Sequence, residues 1–209
     1  MKEFWNSRYR ESDYAYGTEP NRFFESEIRK LKVGKVLFPA EGEGRNAVFA
    51  ASLGWDVLAF DQSEAGKEKA IQLAKGREVK ISYEVASVED FVCEKESVDA
   101  LVLIFAHFPA HFRIRFHQKL ISFLKPGGVV ILEGFAKNHA FFQAANEKAG
   151  GPKDPSMLFS KEELEEDPIE PMEPMVPMEP TEPMEPMEPR EPMEPMEPME
   201  PMEPMEPME

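Results

Sequence analysis

Apolar positions in the first 167 residues follow two rhythms. Val36-Leu37-Phe38, residues 57–60 and the run VDALVLIF at 98–105 are short, nearly continuous apolar stretches, as strands covered on both faces are. Between them the apolar residues return every three or four positions. Phe24, Ile28 and Leu31 predict a helix over 19–31, and a small-residue helix over 45–53 has Gly54 placed to end it. Ser63 is the expected N-cap of a helix reaching Lys75, with Ala70, Ile71 and Ala74 facing inward and Gly76 as C-cap. Phe112, Phe116, Leu120 and Leu124 mark one more packed helix, stopped by a turn at Lys125-Pro126-Gly127-Gly128. Residues 80–85 and 129–132 read as the third and fifth strands. Helices alternating with buried strands predict an α/β fold with a doubly wound, mostly parallel sheet.

From Pro168 onward the rhythm changes. A proline stands at every third position, mostly as Pro-Met-Glu, and proline neither donates to a ladder nor lets the preceding residue turn helical. The expected organisation is a domain over 1–167, opening with a lid or helix at about 1–32, and a disordered tail over 168–209. For the tail three readings stand side by side. It is an acidic spacer or a ligand for a proline-recognising module, low-complexity sequence with no folded role, or a segment foreign to the native C-terminus.

Charge follows the same division. The formal net charge is -16, and the 13 Glu against one Arg in 168–209 carry most of it, leaving the first 167 residues mildly acidic. That balance points away from a nucleic-acid partner, which wants a cationic surplus. Cys93 is the sole cysteine, which excludes an internal disulfide and fits a reducing compartment. The N-terminus lacks a signal-like layout and no apolar run approaches membrane length, so a soluble, cytoplasmic protein is expected.

In doubly wound sheets ligands sit beyond the carboxyl ends of the strands, beside the first one. Three features meet there. Gly42 and Gly44, in the turn after the first strand, allow close approach of backbone to ligand. Asp61 ends the second strand, where a carboxylate can accept from both hydroxyls of a ribose, with Gln62 beside it. Ser87-Val88-Glu89-Asp90 follows the third strand and can wall an adenine. Together these describe a nucleoside site.

Residues 1–160 resemble the class I S-adenosylmethionine-dependent methyltransferases, most closely the small-molecule branch of tellurite-resistance and thiopurine methyltransferase-like proteins. The resemblance is carried by Phe4-Trp5-Asn6-Ser7-Arg8-Tyr9, Tyr16-Gly17-Thr18-Glu19-Pro20-Asn21, the turn Glu41-Gly42-Glu43-Gly44-Arg45-Asn46, Asp61, and Leu124-Lys125-Pro126-Gly127-Gly128. It implies a Rossmann-like fold, S-adenosyl-L-methionine as cofactor and a small-molecule methyl acceptor. The turn over Ala40, Glu41, Gly42, Glu43 and Gly44, with Asn46, would then hold the methionine part. Asp61 with Gln62 would hold the ribose, and Ser87, Val88 and Glu89 would flank the adenine.

Two departures from the family pattern stand out. The family turn has an acidic residue and three alternating glycines, whereas Phe38 takes the acidic position here and Ala40 the first glycine, leaving Glu41 or Glu43 to meet the cofactor's amino group. The family sheet also continues past strand five with an antiparallel hairpin. Here a capping box at Ser160-Lys161-Glu162-Glu163 opens a short helix and the repeats follow, so the hairpin is expected to be missing and strand five to be an uncovered edge.

Methyl transfer is an in-line displacement in which the protein mainly positions the nucleophile. A thiolate, selenide or telluride needs no strong base, whereas a hydroxyl or protonated amine does. His107, at the end of strand four, is the candidate catalytic residue by resemblance, and the alternative is a wall or structural histidine. His111, His117 and His139 do not complete a metal-ligand spacing. Trp5, Arg8, Tyr9, Tyr14 and Tyr16, or residues 154–159, are candidate lids, with plain packing as the alternative. Two rival functions remain. Gly42-x-Gly44-x-x-Ala47 with Asp61 also fits a nicotinamide-dependent dehydrogenase, and the altered turn fits a non-catalytic nucleoside-binding remnant.

Overall fold

The computed structural model describes residues 2–146 and 149–166. The expected tail and its boundary at 167 lie outside the described residues. Within them the chain runs α1 (Lys2–Tyr9), α2 (Arg22–Ile28), β1 (Lys35–Pro39), α3 (Arg45–Ser52), β2 (Asp56–Asp61), α4 (Glu64–Gly76), β3 (Ser82–Val85), β4 (Val98–Ile104), α5 (Ala110–Ile121), β5 (Leu124–Glu133) and α6 (His139–Ala145). A single 3-10 turn at Pro155–Met157 and α7 (Lys161–Glu166) follow.

The strands form one five-stranded sheet in the order β3-β2-β1-β4-β5, every pairing parallel. This is the doubly wound, Rossmann-like architecture expected from the sequence, and the strand order reverses at β1 and β4, where ligands bind in open α/β sheets. Alternation along β1 explains the double cover. Val36 and Phe38 enter one core with Phe24, Ile28 and Trp55, and Leu37 enters the other with Phe60, Leu101 and Leu120. Phe38 therefore has no business with a polar ligand, because its ring is fully buried edge-to-face against Phe24 at 5.5 Å.

Several boundaries differ from the sequence expectation for local reasons. The helix expected over 19–31 spans only Arg22–Ile28, because Pro20 precedes an extended Asn21 whose side chain takes the Phe24 amide at 2.9 Å. On α4, Ser63 caps as expected, its Oγ accepting the Gly66 amide at 3.0 Å. Ile71 is 43% exposed rather than inward, while Leu73 shares the buried face with Ala70 and Ala74. Gly76 is the last helical residue and not the cap, and the left-handed position falls on Glu78 (φ 57°).

The periodicity that ran through Leu124 crosses two elements. The buried face of α5 is Arg113, His117 and Leu120, and Leu124 is the first residue of β5, paired with Val98. Lys125–Gly128 is a bulge, since the next pair is Ala100 with Val129, so one residue of β4 faces four of β5.

Strand β5 is the sheet's edge among the described residues, and no antiparallel strand follows it there. Just beyond its end the chain is nevertheless covered. Residues 155–160 return alongside it, making a parallel bridge between Ala136 and Phe159. The capping box forms as expected, with Ser160 N donating to Glu163 Oε2 at 3.1 Å and Glu163 N to Ser160 Oγ at 3.2 Å.

Candidate active site

The turn between β1 and α3 is shaped by three left-handed residues, Ala40 (φ 52°), Gly42 (φ 63°) and Gly44 (φ 85°). Ala40 adopts this conformation with a Cβ, which is where the family has glycine. Gly42 and Gly44 have no alternative. A Cβ on Gly42 would lie 2.5 Å from the Tyr9 hydroxyl, and one on Gly44 would lie 2.5 Å from Ala70 Cβ on α4.

Gly42 is the hub. Its amide donates to Asp61 Oδ2 at 3.1 Å, and its carbonyl accepts the Tyr83 hydroxyl at 2.6 Å. Asp61 Oδ1 in turn accepts the Ser63 amide at 2.8 Å, so both carboxylate oxygens are oriented by backbone. Each oxygen keeps a second acceptor direction. Burial pushes the Asp61 carboxyl up, against the amides of Ser63, Gly42 and Gln62, which hold it down. The Ala86 amide donates to the Asp61 carbonyl at 3.0 Å, so the loop after β3 leaves the sheet beside this carboxylate. Gln62 is exposed at its rim.

Glu41 is half-buried, and its Oε1 accepts the Asn46 and Ala47 amides at 2.9 Å each, capping α3 from within the turn. Burial pushes its carboxyl up to about 7, opposed by those two amides and by Arg45. Glu43, expected as an alternative contact for an amino group, is turned the other way. Its Oε2 accepts the Ala15 amide at 2.7 Å and its Oε1 pairs with Lys69 at 2.7 Å, which fastens the N-terminal segment to α4. Asn46 is likewise engaged, Oδ1 accepting the Asn21 amide at 2.9 Å.

In the 87–89 loop, Ser87 and Asp90 close a turn on each other, with Ser87 Oγ donating to Asp90 Oδ2 at 2.6 Å and accepting the Asp90 amide at 3.1 Å. Val88 is buried. Glu89 reaches away to Arg115 on α5, and its carbonyl accepts Lys119 Nζ at 2.6 Å. The structure thus brings together Ala40, Glu41, Gly42, Gly44, Asp61, Gln62, Ser87 and Val88, directs the side chains of Glu43 and Asn46 into the framework, and turns Glu89 to an exposed ion pair with Arg115.

Two further residues belong to the site. Tyr83 carries no motif, since it is one aromatic in a four-residue strand. Asn6 on α1 accepts Ser63 Oγ at 2.9 Å and the Ala65 amide at 3.1 Å, so α1 is fastened to the start of α4 next to Asp61. Tyr9, at the end of α1, stacks on Trp5 at 5.5 Å and sets its hydroxyl over Gly42. Burial and then the Asp61 charge push both Tyr9 and Tyr83 up, so both hydroxyls stay protonated donors.

His107 is fixed from both sides. Its Nε2 accepts the Phe135 amide at 3.0 Å, which leaves Nδ1 as the donor to the Met157 carbonyl at 2.7 Å. Burial lowers its pKa, consistent with a neutral ring. Within residues 154–159 the C-terminal end is packed, while 154–156 are exposed. Leu158 and Phe159 are buried, Phe159 stacks on His107 at 4.7 Å, and Arg113 donates to the Leu158 carbonyl at 3.4 Å. No group of three or more His, Cys, Asp or Glu among the described residues has metal-holding geometry, and none of their helices is long and apolar enough to cross a membrane.

Residues 36–128 match the family described as "Methyltransferase domain". No curated protein matches the sequence. Among solved structures, the chain is similar to one from work on the conversion of a disulfide bond into a thioacetal group during echinomycin biosynthesis, with 24% identity and TM-score 0.62 over 80% of this chain and 76% of that one. It is also similar to a possible histamine N-methyltransferase from Thermotoga maritima, at 19% identity and TM-score 0.53 over 79% and 72% of the two chains. TehB from Haemophilus influenzae matches at 17% identity and TM-score 0.57 over 79% of this chain and 54% of that chain. At these identities the likenesses bear on fold. Residues 36–128 thus match a methyltransferase-domain family, and the sheet that carries them has the fold of solved S-adenosylmethionine-dependent methyltransferases.

Proposed function

We propose that this domain transfers the methyl group of S-adenosylmethionine to a small-molecule acceptor whose nucleophile needs no protein base. The observation that carries the cofactor reading is the pairing of Asp61 with Gly42. A carboxylate at the end of β2 is oriented by backbone amides beside a Cβ-free turn, which suits a ribose and its attached chain. The residues that would hold the cofactor are Asp61 and Gln62 at the ribose, Ala40–Gly44 at the methionine end, and Ser87 and Val88 at the adenine. When bound, the cofactor supplies an electrophilic methyl group on a sulfonium. The chain's own residues orient it and exclude water, with Tyr9 and α1 closing over Gly42.

The base-free acceptor follows from His107. Both of its nitrogens are engaged by backbone and its ring is held neutral, so it positions the ends of β4 and β5 rather than taking a proton. A thiolate or a comparably soft nucleophile fits such a site.

Titration calorimetry of the full chain with S-adenosylmethionine and S-adenosylhomocysteine, NADH serving as control, tests the cofactor. Micromolar binding of the first two alone supports the reading, and a folded chain that binds neither refutes it. Methylation assays on small thiols against matched alcohols and amines test the acceptor. Turnover of the alcohols that is lost in a folded His107→Gln variant would overturn the base-free mechanism.

A further inference from the structure

A helix that follows the first strand of a doubly wound sheet presents free amides and the positive end of its dipole, and in dinucleotide folds the pyrophosphate rests there. Here a side chain of the same turn already occupies that terminus. Glu41 Oε1 holds the Asn46 and Ala47 amides, 2.9 Å from each. The surrounding charge would not welcome a second anion. Asp61 binds the Gly42 amide, so a second carboxylate borders the glycine next to Glu41, while the charge of Glu43 is met by Lys69. The two cations at the turn are engaged elsewhere. Arg45 donates to the Tyr16 carbonyl at 3.1 Å with its guanidinium 5.7 Å over the Tyr16 ring. Lys69 holds Glu43 at 2.7 Å and the Asp13 carbonyl at 2.6 Å.

We infer that Glu41 is a specificity-determining residue: its carboxylate serves α3 as an internal anion, so the turn rejects nucleotides that carry a pyrophosphate and accepts a nucleoside whose chain is cationic at this point. The inference rests on the cofactor reading above and deepens it. It also gives a physical reason why Gly42-x-Gly44-x-x-Ala47 is not a dinucleotide site despite matching its spacing.

The test uses ADP-ribose, which carries a nucleoside and a pyrophosphate of constant charge across the accessible pH range, with S-adenosylhomocysteine alongside it, titrated into the full chain. At about pH 8, where Glu41 is ionised, the unmodified chain binds S-adenosylhomocysteine and not ADP-ribose. Glu41→Gln removes the charge while leaving an oxygen for the amides, and it raises ADP-ribose affinity at least about tenfold. Glu41→Ala bares the amides too and raises it further. A third arm needs no variant. At about pH 5.5 the Glu41 carboxyl of the unmodified chain is protonated, and ADP-ribose affinity rises as in Glu41→Gln, with Asp61, Glu43, Tyr9, Tyr83, Arg45 and Lys69 as the other titratable or charged groups facing the turn.

ADP-ribose bound by the unmodified chain at pH 8 as tightly as S-adenosylhomocysteine overturns the inference. So does an ADP-ribose affinity that stays flat in whichever variants fold and at low pH. A folded chain that binds no S-adenosylhomocysteine refutes the cofactor reading instead, and the ADP-ribose comparison still decides the role of Glu41.

Discussion

At the carboxyl ends of β1 and β2, carboxylates rest on backbone amides: Asp61 on Gly42 and Ser63, Glu41 on Asn46 and Ala47. At the ends of β4 and β5 the parts are reversed. There the neutral His107 ring and the Arg113 guanidinium rest on backbone carbonyls, among the rings of Phe105, Phe135 and Phe159. The first region confines charge that a ligand can use, at the expense of desolvated carboxyls. The second confines none for chemistry and fastens residues 155–163 to the sheet. On the function proposed above, the first of these two edges of the site serves binding and the second stability.

The largest effect that sharpens this contrast is Phe159→Ala. Its ring is buried against His107 and under Arg113, so truncation costs about 3–4 kcal/mol in denaturant unfolding. S-adenosylhomocysteine affinity of the folded variant should stay within about twofold, well under the 1.4 kcal/mol that marks a tenfold change. A large loss of affinity in a folded sample would show that the two edges are one unit, and the comparison would break.

Asp61→Asn is the mirror experiment. Affinity should fall by roughly 30–100-fold, about 2–3 kcal/mol, because the oriented charge is lost. Stability should shift by only about 1 kcal/mol, since a lost amide bond is offset by relief of a desolvated carboxylate. Calorimetric titration and urea unfolding of the same preparation separate the two quantities.

The difference between the edges also explains what was legible in the sequence. Strand positions, Ser63 as cap, the Ser160–Glu163 box and the place of Asp61 are local signals, each decided within a few residues. The fate of Glu43 and Asn46 is not local. Their partners Lys69, Ala15 and Asn21 lie 25 or more residues away, so a glutamate in the right turn still faces the framework. Tyr83 was illegible for the same reason, its partner Gly42 being 41 residues distant. For His107 the sequence left a catalytic and a structural role open, because the Met157 carbonyl that engages Nδ1 lies 50 residues away. Leu124 misled because a helical spacing can run by chance into the following strand, and only pairing with Val98 distinguishes the two.

Glu41 sharpens the claim that the first edge holds strained charge. Its folded carboxyl is raised to about 7 from an ordinary 4.5, so the folded chain binds a proton more tightly than the unfolded one. The stability it contributes is full below about pH 4.5 and is lost as pH rises through 7. Glu41→Gln, which stays neutral, should therefore be more stable than the unmodified chain by about 2 kcal/mol at pH 8, with the gap closing near pH 5. Equal stabilities at pH 8 would mean that the α3 amides repay the carboxylate's desolvation in full.

The smallest effect lies at the second edge, where His107 gives the opposite pH sign. With Nε2 accepting from Phe135 and Nδ1 donating to Met157, the ring fits only when neutral, and burial lowers its pKa accordingly. A second proton has nowhere to go except Nε2, where it would face the Phe135 N–H. Stability from this residue is thus present above the unfolded histidine value and is lost as pH falls through the lower folded one. The loss should be about 1 kcal/mol, one backbone hydrogen bond, and it should be local. The protection factor of the Phe135 amide, taken against the intrinsic exchange rate at each pH, should fall on acidification, while that of the Gly42 amide, held by Asp61, should not follow at the same pH. Nitrogen-15 shifts at neutral pH should report the Nδ1–H tautomer. An Nε2–H tautomer would invert the bonding at Phe135, removing the argument that His107 is a clamp and returning it to the acceptor side as a group able to take a proton.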